Sequence, residues 1–559
     1  MAENSNKIVT SKIRQQPLPA YSKLAEECKD LWDRDAQCRG SLLNHCQECA
    51  EYFLPRRSTV TSKKELGGKR MQRVFRSTGL RALTTWATGM MNGIFPANSV
   101  FHMNKLRGVQ IEDTPNVARE WLENVASAQY EAVMESNASE ALHNAFLDEG
   151  LFGTSCVFVG ESDKPNQVLF FRNFSIESYT LTEDAEGVPN GCVVMDTYTT
   201  AQLVEKFGDA VPKSIRGGGN VEEMTKSHKV IFGVLPNPEY DSTKTMRRGK
   251  DVPNNRPYRY VYALYNGLDV LETGGYYEFP FVITRVNKSY DEKFGRSPAM
   301  DALAECKMHN KTAEYDIAAT ERLIRPSYIV DSTSIMGPVN PQPGAVISAD
   351  FSKGGSVVQP FPTTDNPSWG ERLEEKTKQS IDSIFMVDVF VTVSLESLGQ
   401  PNITATQWTM AKNERLAQLG PNLRVNEREK IRPLMDRVFG ILWRNGMIPD
   451  PPEEIAGMQF ISQPTSPLFS AVENAFEVEA LNRTIGYCAQ VMQVKPDIWD
   501  NMDLDAGFNL IAAAGGTAAR TTRSPEEVEK IRKDRAEQQA REQAMQMAMV
   551  QQQQAQAQA

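Results

Sequence analysis

The sequence predicts an α+β fold that is mainly helical, with a β-rich subdomain at about 150–290. Three observations carry this. Apolar residues recur at helical spacing over long stretches on both sides of that region. Within it, 154-TSCVFVG-160, 167-QVLFFRN-173, 191-GCVVMDTYTT-200, 229-KVIFGVLP-236, 258-YRYVYALYN-266 and 279-FPFVITRVN-287 are rich in β-branched and aromatic residues, with turn formers between them. After it, long helical rods are punctuated by Pro and Gly. A chain of 559 residues exceeds one compact core, so about two to four domains are expected.

The elements follow in order. Residues 20–54 read as one helix, with Leu42, Leu43, Cys46, Cys49, Ala50, Phe53 and Leu54 on its apolar stripe, ended by Pro55. Further helices are expected at 70–92 and 115–148. The segment 213-KSIRGGGN-220 reads as a loop between strands. Ser297 is a candidate N-cap with Pro298 at the first helical position, and Pro326 stops that helix after Arg325. About 28 residues give a rod of roughly 40 Å. It is rich in Ala (299, 302, 304, 313, 318, 319), which permits close helix–helix approach. Residues 327–366 carry strand and turn signals, and a second helix covers Trp369 to Val387. Thr406 caps a third long helix, which Gly420-Pro421 interrupts, Pro433 bends and Asn445-Gly446 ends. Helices resume at about 468–514. A capping box at Ser524–Glu527 opens a Gln-rich tail.

Composition narrows the function. Hydrophobic content of 40% and charged content of 24% suit a soluble globular protein. The stretch 79-GLRALTTWATGMMNGIFP-96 holds Arg81 and several Thr and Gly, so no membrane span is expected. The N-terminus MAENSNKIVTSK lacks an apolar core, so no secretion signal is expected, and the eight scattered Cys read as reduced thiols. The net charge of −10 means that nucleic acid either is not a partner or is not held tightly.

Catalytic chemistry is not indicated. The motif 45-HCQEC-49 admits a zinc or redox reading, but it has no second ligand pair and both Cys fall on the apolar helical stripe, so core packing is expected. No metal and no cofactor is expected. No phosphate-binding loop occurs, since 67-GGKR-70 lacks the spacing and the Ser or Thr. The five His (45, 102, 143, 228, 309) are dispersed, and the carboxylates read as solvated helix faces. Arg56-Arg57, Lys63-Lys64 and Lys69-Arg70 form a basic cluster that reads as solvated surface, with phosphate contact as the alternative.

The order of parts resembles the portal, or head-to-tail connector, family of short-tailed bacteriophages. The carriers are 51-EYFLPRRS-58, 77-STGLRALTTWATGMMNGIFP-96, 294-FGRSPAMDALAECKMHNKT-312 leading to 325-RPSYIV-330, 403-ITATQWTMAKNERLAQLGPNLRVNEREKIRPLMDRVFGILWRNGMIP-449 and 467-PLFSAVENAFEVEALNRT-484. The resemblance spans about Leu31 to Arg541. It implies a portal fold of wing, stem, clip and crown. The wing would be 1–293, its β-rich part at about 150–290, with the kinked helix and return at 405–467. Stem helices would be 294–326 and 367–387, the clip 327–366, the crown 468–523, and the tail 524–559 a helical extension.

The function implied is a ring of about twelve copies at one capsid vertex, through which double-stranded DNA is packaged and ejected. Implied partners are a terminase packaging motor and later a tail adaptor, both at the clip, with the major capsid, scaffold and internal core proteins, and no membrane. The location implied is the virion, with assembly in the host cytoplasm. Stem residues Arg296, Lys307, Lys311, Arg322, Arg325, Lys376 and Lys378 would flank the channel, and Gly420-Pro421 would kink the wing helix. The competing readings are another ring or scaffold component of the capsid, or a nucleic-acid enzyme. The helix–clip–helix–loop–kinked helix order argues against the first. The second lacks a convergent carboxylate or His cluster.

Within this scheme 389-VFVTVSLESLGQPNITATQW-408 stands out, because it carries no Lys, Arg, Cys or His. Residues 388–404 are expected to form a channel loop. Thr392, Ser394, Ser397, Gln400, Asn402 and Thr404 offer weak, exchangeable contacts to a sugar-phosphate surface, and Glu396 repels it. Gly399 and Pro401 allow a bend. The alternative is a buried β-piece, since 389–395 alternates apolar and polar side chains.

Overall fold

The computed structural model describes residues 19–62, 74–109, 114–216, 221–241, 255–324, 328–330, 358–360, 367–395 and 418–466, with breaks at 163, 165–166 and 456, and scattered positions from 468 to 538. Two compact units divide the chain, Met1–Pro464 and Thr465–Ala559. In the second, the described positions within 468–514 are helical, and the predicted capping box at 524–527 lies outside the described residues.

The expected helix at 20–54 is two helices, α1 (Pro19–Cys38) and α2 (Gly40–Phe53). A tertiary contact breaks them apart. Arg39 is buried, and its guanidinium donates to the carbonyl of Tyr179 at 2.5 Å, so its backbone leaves helical geometry. Cys46 and Cys49 lie fully buried on α2 beside Ala50 and Phe53. Burial pushes the Cys46 thiol up to about 12, which suits a packing group.

Helix α3 (Thr78–Ile94) begins eight residues later than the expected 70. The side-chain oxygen of Asn310 accepts from the backbone N–H of Phe75 and Arg76, at 3.0 and 3.2 Å, and holds that entry out of helix. Strand β1 (His102–Leu106) comes next. The expected helix at 115–148 is again two, α4 (Asn116–Met134) and α5 (Ala138–Phe152). Between them, the Asn137 amide both donates to and accepts from the backbone of Phe171, at 2.7 and 2.9 Å. Asn is apt to leave a helix for such a backbone contact.

The six strands expected within about 150–290 are present, together with two more. The region comprises β2 (Thr154–Glu161), β3 (Leu169–Phe174), β4 (Tyr179–Glu183), β5 (Pro189–Thr199), α6 (Thr200–Phe207), α7 (Lys213–Arg216), α8 (Val221–Met224), β6 (Ser227–Pro236), β7 (Tyr258–Leu264), β8 (Val270–Tyr276) and β9 (Phe281–Arg285). The strands form antiparallel sheets of order β3-β2-β9 and β4-β5-β6-β7-β8. Alternation gives the larger sheet two apolar faces. Val193, Ile231, Val261 and Ala263 take Leu24, Ala25 and Cys28 of α1, while Val230, Leu264 and Leu271 take Leu203 of α6. Residues 213–216, expected as loop, form a helical turn, and 217–220 lie outside the described residues.

Ser297 caps the next helix as expected, its hydroxyl accepting from the Met300 N–H at 3.0 Å. The rod has a step at Ala302 that separates α9 (Pro298–Asp301) from α10 (Leu303–Ile324). Strands β10 (Tyr328–Val330) and β11 (Val358–Pro360) pair antiparallel at the base of the expected clip, whose remainder lies outside the described residues. Helices α11 (Pro367–Ile384) and α12 (Val387–Leu395) follow.

Residues 418–426 are helical straight through Gly420 and Pro421, so the expected interruption there is wrong. The irregular stretch is a π-helical turn at Glu427–Ile431, leading into α13 (Arg432–Arg444). Its cause is Pro433. Proline has no N–H and its ring crowds the carbonyl four residues back. The wider turn, with the Arg432 N–H bonded to the Glu427 carbonyl, absorbs it. Gly446 adopts φ 71° and ends the helix. Strand β12 (Phe460–Pro464) then pairs with β1. No helix among the described residues is long and apolar enough to cross a membrane.

Candidate functional site: the paired α10 and α11 helices

Helices α10 and α11 lie antiparallel, with His309 opposite Thr377 and Asp316 opposite Gly370. A methyl group at Gly370 would run into the Asp316 carboxylate, so the glycine makes room for it. Of the alanines in the rod, Ala299, Ala302 and Ala313 are fully buried, and Ala304 faces out.

The joint that fixes this pair is polar and neutral. His309 is buried, with Nδ1 2.9 Å from Thr377 Oγ1 and Nε2 2.9 Å from Thr78 Oγ1. Thr377 gives its one hydroxyl proton to the carbonyls of Leu373 and Glu374, so it accepts from Nδ1–H. Nε2 is then the acceptor for the Thr78 hydroxyl. Burial holds the ring below its ordinary value against the pull of Glu374, which keeps it neutral. Arg76 pairs with Glu374 at 2.5 Å, and the Phe53 and Phe385 rings meet at 5.5 Å. The start of α3, α10 and α11 are thereby one body.

The expected stem cations do not converge on a phosphate-gripping patch. Lys307 pairs with Glu48 of α2 at 2.5 Å. Lys311 pairs with Glu314 at 2.7 Å and lies 5.0 Å from the centre of the Tyr315 ring. Arg296 pairs with Glu292, Lys378 with Glu375 at 3.6 Å, and Lys376 is exposed. The Arg322 side chain and Arg325 lie outside the described residues.

The expected channel loop is corrected over its first half. Residues 387–395, including Thr392 and Ser394, are helical in α12, neither loop nor β-piece. β-Branched residues disfavour helix only weakly, and tertiary packing overrides that preference. Here the Phe390 ring seats on α3 at Gly89, where any Cβ would collide with it. Glu396, Ser397, Gln400, Asn402 and Thr404 lie outside the described residues.

Sequence reasoning missed a buried ionic seam around the π turn. Glu149 and Lys430, both fully buried, pair at 2.5 Å. Ser155 donates to Glu149 at 2.6 Å, and Lys430 Nζ sits 3.5 Å from the Phe146 ring centre. Burial pushes the carboxyl up and the ammonium down, and each partner's charge opposes this. The neighbouring Glu429 accepts from the Arg285 backbone and guanidinium at 2.9 and 2.8 Å. Arg437 and Arg444 both reach Glu278, at 2.7 and 2.6 Å. A signal existed, because Lys430 lies one helical turn before Leu434 on the apolar stripe.

Comparison with known proteins bears on most of the chain. A family model for the bacteriophage head to tail connecting protein matches residues 25–522. The portal protein of Salmonella phage epsilon15 is 28% identical over 520 residues, covering 91% of this chain and 90% of that protein. The probable portal protein of Bordetella phage BPP-1 is 26% identical over 519 residues, again covering 91% and 90%. A chain from the virion of a native gene transfer agent particle covers 76% of this chain and 91% of its own length, at 14% identity and a TM-score of 0.33. With its family match running over most of its length, this chain belongs to the bacteriophage head-to-tail connecting protein family.

Proposed function

We propose that this protein is the portal vertex of a phage capsid. About twelve copies close into a ring. Double-stranded DNA passes through the ring during packaging and ejection. The single observation that supports this best is the family match over residues 25–522, beside which two portal proteins align with this chain along most of their lengths. The antiparallel stem pair supports it too, since a pair fixed by a neutral hydrogen-bonded joint suits a rigid strut beside a channel.

In this reading the clip at 327–366 projects from the capsid and docks the terminase motor first and the tail adaptor later. The capsid shell, scaffold and internal core proteins contact the wing and crown. The protein resides at the virion vertex and assembles in the host cytoplasm. It does no covalent chemistry, and the motor supplies the energy. The modest, internally paired charge of the stem lets DNA slide, because each phosphate contact adds affinity and salt-dependent sticking.

The segment after α12 carries hydroxyl and amide side chains and faces the DNA. Trimming 396–402 tests this. Rings remain intact by microscopy, while packaging or retention of DNA in filled heads falls. Parental packaging and retention by the trimmed protein would overturn the channel role of the segment.

A further inference from the structure

The chain between α11 and α12 contains a joint that the portal reading does not use. Phe385 is fully buried against Phe53 and closes α11. The next residue, Met386, adopts φ 50°, a left-handed conformation that a side chain of this size rarely takes. Helix α12 begins immediately after it.

Both helices dock on α3, through contacts of different kinds. Helix α11 is tied near the α3 start by Thr377, His309 and Thr78, and it buries Thr377 and Ile381, with Phe385 buried just past its end. Helix α12 meets α3 eleven residues further along, about 16 Å away. There the contact is one of shape, Phe390 on the bare backbone of Gly89. From Val387 to Val391 no residue of α12 is fully buried, although four of the five are apolar. Segments with few buried contacts open at lower free energy than the elements beside them.

We propose that α12 is a separately hinged arm: it pivots at Met386, and the Phe390 ring on Gly89 is the latch that holds it on α3. Gly89, Met386 and Phe390 are then positioning residues for α12. The significance of the arm rests on the portal reading, but its mechanics do not. Unlatching frees α12 as a unit and leaves the His309 joint closed, because neither contact includes an atom of the other.

Hydrogen–deuterium exchange on the purified full chain tests this with no DNA present, so the result is independent of the channel assignment. Gly89→Ala pushes the ring out, and Phe390→Ala removes it without a clash. In both variants amide exchange over 387–395 rises about tenfold or more. Exchange over 367–384 and 303–324 stays within about twofold of the parent. Equal acceleration of 367–384 in Phe390→Ala would show that α11 and α12 move as one body, and would overturn the proposal. So would unchanged protection of 387–395 in both variants.

Discussion

The His309 joint and the π-turn seam hold helices in opposite ways. The His309 joint ties α3, α10 and α11 through a neutral imidazole, two threonine hydroxyls and a glycine contact. The seam joins the helical 418–444 stretch to α5, β2 and β9 through buried charge, with Lys430 on Glu149 and Arg285 on Glu429. A neutral joint that parts exposes groups that water can satisfy. A buried charge that loses its partner is left stranded in a poor dielectric. Parting the seam is therefore the costlier of the two, and movement that spares both belongs to α12, which neither holds.

The largest expected effect breaks the seam. Lys430→Met leaves the Glu149 carboxylate buried beside Phe146, and costs about 3–5 kcal/mol by chemical denaturation. The double variant Glu149→Leu/Lys430→Met recovers most of that loss, because no charge remains stranded. If the single and double variants are equally destabilised, the seam is held by packing, and the contrast with the His309 joint fails. The variant His309→Leu ranks second. It removes the bridge to Thr78 and Thr377 and costs about 1–3 kcal/mol, as expected for neutral hydrogen bonds with buried hydroxyls left behind.

The smallest effect is one of pH, and it has two opposed parts. Burial, reinforced by Glu278, raises the Asp436 carboxyl from 3.8 to about 6. The folded state then holds the proton more tightly than the unfolded state, so this group lowers stability as pH rises from about 4 to 6. His102 is lowered by burial from 6.5 to about 4. The unfolded state holds that proton more tightly, so this group raises stability as pH climbs through much the same window. Asp436→Asn removes the first part and leaves the second. Stability of the variant should therefore rise more steeply with pH between about 4 and 6 than that of the parent, by up to about 1.4 kcal/mol per pH unit. A slope equal to the parent's would show that Asp436 titrates as an ordinary carboxylate.

Much of the architecture was legible in local pattern. The β-branched runs predicted six of the eight strands between 154 and 285, and Ser297-Pro298 marked the start of α9. What escaped was set by distant partners. Arg39 and Asn137 break helices because Tyr179 and Phe171 claim their side chains, and no local window contains those residues. Strand β8 contains Gly274-Gly275, which hides it, and β1 and β12 are short strands far apart in sequence that become visible only as a pair. The site was half legible. The antiparallel pairing of α10 and α11 suits the two expected rods with a short β-piece between them. The helicity of 387–395 was not legible, because α3 supplies Gly89 as its seat. The buried charges were hidden by the sound general expectation that Lys and Glu face water.

The central claim is that this chain builds a closed channel, and electron microscopy of the purified full chain tests it most directly. The account predicts closed rings with a central hole, in which about twelve copies contribute one stem pair each. A compact monomer or dimer persisting across protein concentration and salt would contradict it.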